Sequence, residues 1–134
     1  MIDVNRALIK YLKSDTILAE QLGTFMGSAA IFATEPVPEQ SGTPFIVTRS
    51  IGDETMDAKV SMFREVQQDI AIYDDEDGSP ADIEFTAEYI REKLRTAFEI
   101  PNWNVCGIVV DGPIINDVDE LHGRVLTVRI TLDR

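Results

Sequence analysis

Cysteine and histidine are nearly absent from the sequence, which contains one of each, Cys106 and His122. A single cysteine excludes an intrachain disulfide and is typical of a protein that stays in a reducing cytoplasm. A zinc site needs three or four soft ligands, a number that cysteine and histidine cannot supply here. Cys106 lies in the apolar run of residues 105–110, which predicts an interior strand and a buried thiol, and His122 precedes Gly123 at a predicted turn. The pattern predicts that neither residue is catalytic.

Basic residues are also scarce, since 12 lysines and arginines face 24 aspartates and glutamates and the formal net charge is −12. Tight binding to a phosphate backbone needs clustered cations, so the composition disfavours groove-reading DNA binding. No stretch approaches the roughly 18 apolar residues of a membrane span. Asp3, Arg6, Lys10 and Lys13 interrupt the N-terminal segment before it reaches the length of a signal-peptide core. We expect a soluble protein without a membrane partner.

The strings that usually mark catalysis are missing too. The sequence contains no nucleophile elbow G-x-S-x-G, no phosphate loop G-x-x-x-x-G-K-[ST] and no dinucleotide fingerprint G-x-G-x-x-G. Residues 73–84, YDDEDGSPADIE, place carboxylates at several positions of a calcium loop, but Tyr73 occupies the first ligand position and Pro80 interrupts the loop. A solvated turn followed by a helix cap explains the same residues. The sequence predicts a protein without enzymatic activity, metal or cofactor.

The length of 134 residues and the 44% hydrophobic content predict one domain, residues 1–134. Helical periodicity over residues 4–12 and a short apolar pattern over residues 17–22 indicate an N-terminal helix pair. Later segments alternate apolar and polar residues as strands do, and the acidic segment 52–59 predicts a hairpin loop between two of them. The sequence therefore predicts an α+β fold: a mainly antiparallel sheet of four to five strands, with a long helix and the helix pair on one face.

The long helix is predicted to begin after residue 79. Ser79 is suited to the N-cap and Pro80 to the first helical position, and the pattern continues through about Phe98. At about 100° per residue, one arc of this helix carries the apolar residues that should face the core. These residues are Ile83, Ala87, Ile90, Leu94 and Phe98.

Three stretches of the sequence carry a resemblance to a known family. They are IKYLKSDTILAEQLG followed by EPVPEQSGTPFIVTRSIGD, then QQDIAIYDDEDGSPADIEFTAEYIREKL, and finally GIVVDGPI with GRVLTVRITL. In this order they resemble bacteriophage tail-completion or tail-terminator proteins, the minor tail proteins of siphovirus-type head-tail joining. The resemblance is one of pattern over nearly the whole chain, and it carries over no catalytic residue.

The resemblance implies a virion structural protein of the tail or neck, assembled in the host cytoplasm, that forms a ring, commonly of six subunits. Such a ring caps the finished tail tube, stops its polymerisation and meets the head connector. The implied partners are further copies of the chain, the tail tube protein and a head-tail connector or neck protein, while DNA passes through without specific binding. The alternatives are a small non-enzymatic binding module and another neck or head-completion protein.

Two helix faces are candidates for contacts between subunits. On the first helix, three bases fall within about 60° of one another, opposite the apolar stripe: Arg6, Lys10 and Lys13. The long helix carries an acidic row, Glu84, Glu88 and Glu92, with Phe85 and Tyr89 beside it and away from the predicted core stripe. A ring joins two different patches of successive subunits, so the basic and acidic faces are expected to meet. Solvated faces, or packing of the first helix on the long helix within one subunit, are the alternatives.

Two acidic segments are candidates to line the channel of the ring, because a wall that DNA traverses benefits from not adsorbing phosphate. They are Asp53, Glu54 and Asp57 in one predicted loop and Asp117, Asp119 and Glu120 in another. The alternative is that both are ordinary solvated loops.

Overall fold

The structure, a computed structural model, describes residues 4–33, 42–57, 62–75, 77–96, 98–118 and 120–133. The helices are α1 (Val4–Lys13), α2 (Thr16–Gln21) and α3 (Pro80–Leu94). The strands are β1 (Thr24–Phe25), β2 (Ser28–Ala29), β3 (Ile31–Phe32), β4 (Phe45–Asp57), β5 (Met62–Asp75), β6 (Asn104–Ile115) and β7 (Leu121–Asp133). Residues 34–41, which include Pro36 and Pro38, and the N-terminal Asp3 lie outside the described residues.

The main sheet has five strands in the order β3-β4-β5-β7-β6, and β1 and β2 form a separate small hairpin. Only the short β3–β4 pairing is parallel, while the β4–β5, β5–β7 and β7–β6 pairings are antiparallel. The predicted α+β class and mainly antiparallel sheet are confirmed. The parallel pairing arises because β3 and β4 are joined by a connection long enough to return the chain to the same end of the sheet.

The core lies between one face of the sheet and the helices. Every second residue of β7 is buried there, from Leu126 through Val128 and Ile130 to Leu132, as the two-residue period of a strand requires. Against them pack the apolar residues of α3, and the predicted stripe is confirmed in full: Ile83, Ala87, Ile90, Leu94 and Phe98 are all buried. α3 packs on β5, β7 and β6, whereas α1 packs on β3 and β4.

α3 begins where the sequence predicts and ends earlier. The Ser79 side chain accepts a hydrogen bond from the Ala81 N–H, and Pro80 is the first helical residue. The prediction that the helix continues to about Phe98 is wrong, since Leu94 is its last residue. There the backbone tightens, with the Arg95 N–H bonding to the Glu92 carbonyl at 3.3 Å. Phe98 still reaches the core and stacks on Tyr11, with ring centroids 4.9 Å apart.

β6 is an edge strand, so its prediction as an interior strand is wrong. Ile108 and Val110 pack against the core, whereas Cys106 and Val109 are exposed. Residues 105–110 are apolar on both faces of the strand, although α3 covers only one of these faces. The expected buried thiol is therefore solvent-exposed.

Two further expectations about loops are also wrong. Asp53, Glu54 and Asp57 lie within β4 and pair with β5 up to the Asp57–Met62 step, so the segment is strand despite its poor β-propensity. His122 lies in β7 opposite Asp74 and is not in a turn. Among the described residues, no helix is long and apolar enough to cross a membrane.

Candidate interaction surfaces

The basic face of α1 is on the surface of the molecule. Arg6, Lys10 and Lys13 are exposed, whereas Val4 and Leu8 on the opposite side of the same helix are buried. Within the described part of the chain, neither Lys10 nor Lys13 makes an ion pair. These two ammonium groups are therefore available to an external carboxylate.

The three glutamates of the acidic row have different environments. Glu84 binds the Arg124 guanidinium, with 2.6 Å between its Oε2 and the arginine Nε. Glu92 pairs with Arg95 at 3.3 Å on the helix surface, where both side chains are largely solvated. Glu88 is exposed and makes no ion pair among the residues that the structure describes. Of the three glutamates, Glu88 is thus the one whose carboxylate has no ion pair within the described part of the chain.

Arg124 was missed by sequence reasoning. It occupies a core-facing position of β7, is almost completely buried, and also approaches Asp117 at 3.5 Å. A buried guanidinium is stable only with paired charges and hydrogen bonds, and Glu84, Asp117 and the Gly123 carbonyl provide them. The signal available in the sequence was an arginine at a position where the alternation of β7 predicts an apolar residue. The arrangement ties α3 to the β6–β7 hairpin.

Phe85 and Tyr89 do not share an environment, although both were expected to point away from the core. The Phe85 ring is 65% exposed. It borders a depression of 270 Å³ lined by Gln21, Pro44, Asp74, Asp82, Phe85 and Thr86. Tyr89 instead packs against the edge of the core, and its hydroxyl donates to the Asp15 carboxylate at 2.8 Å. Phe85 alone is an exposed aromatic on this face.

Asp15 joins the helix pair to α3. Its carboxylate caps α2 by accepting from the Leu18 N–H at 2.9 Å and binds the Lys93 ammonium at 3.0 Å. Burial raises the pKa of this carboxyl, but the bonds from Leu18, Tyr89 and Lys93 outweigh burial and lower the pKa from 3.8 to about 2. The same contact raises the pKa of Tyr89, because its hydroxyl donates to a carboxylate. Lys93 also lies over the Tyr11 ring, 4.1 Å from its centroid.

The two acidic segments proposed for a channel lie at opposite ends of the sheet. Asp57 lies at the end where β7 finishes with Asp133, whereas Asp117 and Glu120 flank the turn that leads into β7. The length of β7 separates the two ends by about 40 Å. Asp117 is turned toward Arg124 and the Gly123 N–H, Glu120 is exposed, and Asp119 lies outside the described residues.

Cys106 and His122 are too far apart to form a catalytic dyad. Cys106 is next to Val105, which pairs with Leu132, whereas His122 stands ten residues earlier on β7. This places the two side chains roughly 30 Å apart. Over the described ranges, no three His, Cys, Asp or Glu side chains are grouped so that they could hold a metal ion.

Comparisons with known proteins give a likeness of structure and none of sequence. No protein-family model matches the chain, and no curated protein matches it. Among solved structures, a chain of the virion of the native gene transfer agent particle matches with a TM-score of 0.74 at 14% sequence identity. The match covers 98% of this chain and 95% of that chain. The two chains therefore share one fold over nearly their whole lengths.

Proposed function

We propose that the chain is a structural protein of a virion, which forms a ring on the end of a tail tube, stops tube polymerisation and presents a surface to the head connector. The observation that carries the proposal is the shared fold with a virion chain over nearly the full length of both proteins. The order of helices and strands in the sequence also resembles tail-completion proteins. The structural likeness exists at only 14% sequence identity, so it is a likeness of fold.

The distribution of charge fits a protein that acts by assembly. The 24 acidic residues are spread along a chain of 134, which disfavours adhesion to DNA and suits a passage that DNA must cross without binding. Because the acidic segments of β4 and of the β6–β7 turn lie about 40 Å apart, they can both line one channel only if the strands run along its axis. This orientation is part of the proposal.

The helix layer supplies the contact between subunits that we propose. α1 lies over β3 and β4, and α3 lies over β5, β7 and β6. The two helices also contact each other within one chain, where the Tyr11 hydroxyl donates to the Lys93 carbonyl at 3.2 Å. Lys10 and Lys13 of one copy would meet Glu88 and Glu92 of the next, with Phe85 as the exposed aromatic group beside them. A ring joins two different patches of successive subunits, and these two helix faces are both exposed. Arg6 extends the basic face, whereas Glu84 and Tyr89 position α3 within its own subunit.

Electron microscopy of tails assembled without this protein tests the function. Tubes that exceed the normal length and fail to join heads are the expected result. Tails of normal length that fail only to join heads would identify a head-completion or neck protein instead. Tails of normal length that join heads would contradict a role in assembly.

A further inference from the structure

The main sheet has an open strand edge on each side. β3 pairs only with Ile46 and Val47 of β4, so from Arg49 to Asp57 no strand in the described part of the chain pairs with the outer edge of β4. β6 pairs with β7 on one side, and among the described strands none pairs with its other side. Each open edge extends over about 30 Å or more and presents backbone groups to which a strand of another chain can bind.

The two open edges run in opposite directions and lie at the same level of the sheet. β4 and β7 are both antiparallel to β5, and β6 is antiparallel to β7, so β4 and β6 are antiparallel to each other. The strand registers place Arg49 of β4 level with Asp111 of β6. They place Gly52 level with Val109 in the same way, and β6 is regular between its two bulges from Gly107 to Asp111.

These levels decide which residues of two neighbouring copies can meet. The proposed ring has its strands along the axis, and a rotation about that axis changes neither the level nor the direction of a strand. The β4 edge of one copy therefore faces the β6 edge of the next as an antiparallel strand, with Arg49 opposite Asp111 and Gly52 opposite Val109.

The two edges carry opposite charges where they are level. Arg49 is exposed and makes no ion pair within the described part of the structure. The acid opposite it on β5, Asp69, accepts a hydrogen bond from the Thr127 hydroxyl at 2.9 Å instead. On β6, Asp111 is exposed and binds Arg129 of its own subunit through one carboxylate oxygen, Oδ2, at 3.0 Å. The other carboxylate oxygen is available to a guanidinium from a second copy.

Each edge also exposes an apolar side chain beside its charge. Ile51, in the bulge of β4, is 50% exposed, and Val109 of β6 is 51% exposed. Ile51 adjoins Gly52, the residue level with Val109. A contact between the two edges would remove both side chains from water, which stabilises association. The apolar pair and the charged pair thus match in the same register.

We infer that successive copies pair the β4 edge of one with the β6 edge of the next, so that the sheet continues from subunit to subunit. The inference rests on the proposed ring and deepens it by naming the contact. Arg49 of one copy binds Asp111 of the next, and Ile51 packs against Val109. The pairing agrees with the proposed helix contact, because α1 packs on β4 and α3 packs on β6.

Disulfide formation tests this contact, because a disulfide needs two Cα atoms within about 7 Å of each other. The full-length chain with Arg49→Cys, Asp111→Cys and Cys106→Ser should give, on oxidation, a ladder of linked subunits that ends at the size of the ring. Arg49→Cys alone should stay unlinked, because the native Cys106 lies roughly 15 Å along β6 from Asp111. Asp111→Cys with Cys106→Ser should also stay unlinked.

The two control variants can overturn the inference. A ladder from Arg49→Cys with the native Cys106 would show that the strands meet at another level. Dimers of Asp111→Cys with Cys106→Ser would show that two β6 edges meet each other.

Charges placed in the apolar part of the contact give a second test, which leaves Arg49 and Asp111 in place. Val109→Glu should lower the fraction of subunits in rings by roughly tenfold, because it buries a carboxylate in the contact. Ile51→Lys in the same chain should restore part of the assembly, because it brings an opposite charge to that carboxylate. Ile17→Glu on α2, where the native side chain is similarly exposed at 55%, should leave assembly unchanged.

The combined results separate this contact from the proposed function. Rings that form without the disulfide ladder and tolerate Val109→Glu would overturn the contact and leave the proposed function standing. A chain that stays monomeric even with tail tubes would overturn both.

Discussion

At the scale of single residues, the Asp15 carboxyl has the most strongly shifted pKa among the described residues. It is 74 residues away from Tyr89 in the sequence, yet its carboxylate accepts from the Tyr89 hydroxyl and binds Lys93 of α3, and it also accepts from the Leu18 N–H of α2. Its side chain is only 12% exposed, so these bonds are shielded from water and salt. Asp15 therefore links the helix pair to α3 through one carboxylate.

The first prediction concerns the stability that this carboxylate provides. A folded pKa of about 2 against 3.8 in the unfolded chain corresponds to about 2 kcal/mol. Because the folded pKa is the lower one, this stability is present above pH 4 and is lost as the pH falls from 4 toward 2. Asp15→Asn should lower the free energy of unfolding by about 2 kcal/mol at pH 7, measured by urea titration, and by much less near pH 2.

Asp111→Asn is the matched control for this measurement. Asp111 also pairs with a base, Arg129, but both side chains are about half exposed, so removal of the charge should change the free energy of unfolding by less than about 0.5 kcal/mol. An Asp15→Asn effect as small as that of the control, or one of equal size at pH 7 and pH 2, would contradict the account.

At the scale of elements, Glu84 and Glu88 differ although they stand one helical turn apart on α3. Glu84→Gln removes the charge that faces the buried Arg124 guanidinium, and we expect a loss of about 1 kcal/mol in the free energy of unfolding. Glu88→Gln makes the same chemical change at an exposed position and should have an effect within about 0.5 kcal/mol of zero. Equal effects of the two substitutions would show that Arg124 does not tie α3 to the β6–β7 hairpin.

A charge swap tests the proposed contact between α1 and α3 of neighbouring copies. Lys10→Glu with Lys13→Glu should weaken each contact by about 1 kcal/mol, or roughly fivefold, at low salt. Glu88→Lys with Glu92→Lys in the same chain should restore part of the assembly, measured by light scattering. As a control, Glu20→Lys with Glu99→Lys makes the same change in net charge at two other exposed positions, and it should not restore assembly. No weakening by the first pair at low salt would show that these helix faces do not build the ring.

Elements with strong local signals were predictable from the sequence, and those that depend on distant pairing were not. Ser79 and Pro80 determine where α3 begins, and its apolar period determines which face is buried, so both were found. The position of β6 at the sheet edge depends on how β7 pairs, which its own apolar run does not reveal. Likewise the Glu84–Arg124 ion pair joins residues 40 positions apart, and no local pattern marks it.

The same distinction applies to the candidate surfaces. The exposure of Lys10, Lys13, Glu88 and Phe85 followed from helical geometry alone. Tyr89 was predicted to point away from the core. Its hydroxyl instead binds Asp15 at the start of α2, and its ring packs against the edge of the core.

At the scale of the whole molecule, the proposed ring subunit has a basic face on α1 and an acidic face on α3 in a protein that is acidic overall. A net charge of −12 limits the approach of copies, so assembly should depend on ionic strength. Salt screens the general repulsion between copies and also weakens the proposed attraction between α1 and α3 of neighbouring copies. We therefore expect Lys10→Glu with Lys13→Glu to lose most of its effect on assembly at high salt, measured by light scattering.

The most direct test of the central claim is native mass spectrometry of the purified protein, alone and after incubation with tail tubes. We expect a closed oligomer of one defined size, in solution or on the tube end, and tubes that no longer elongate once it has bound. A protein that stays monomeric at every concentration and leaves tube growth unchanged would contradict the claim that this chain forms a tail-terminating ring.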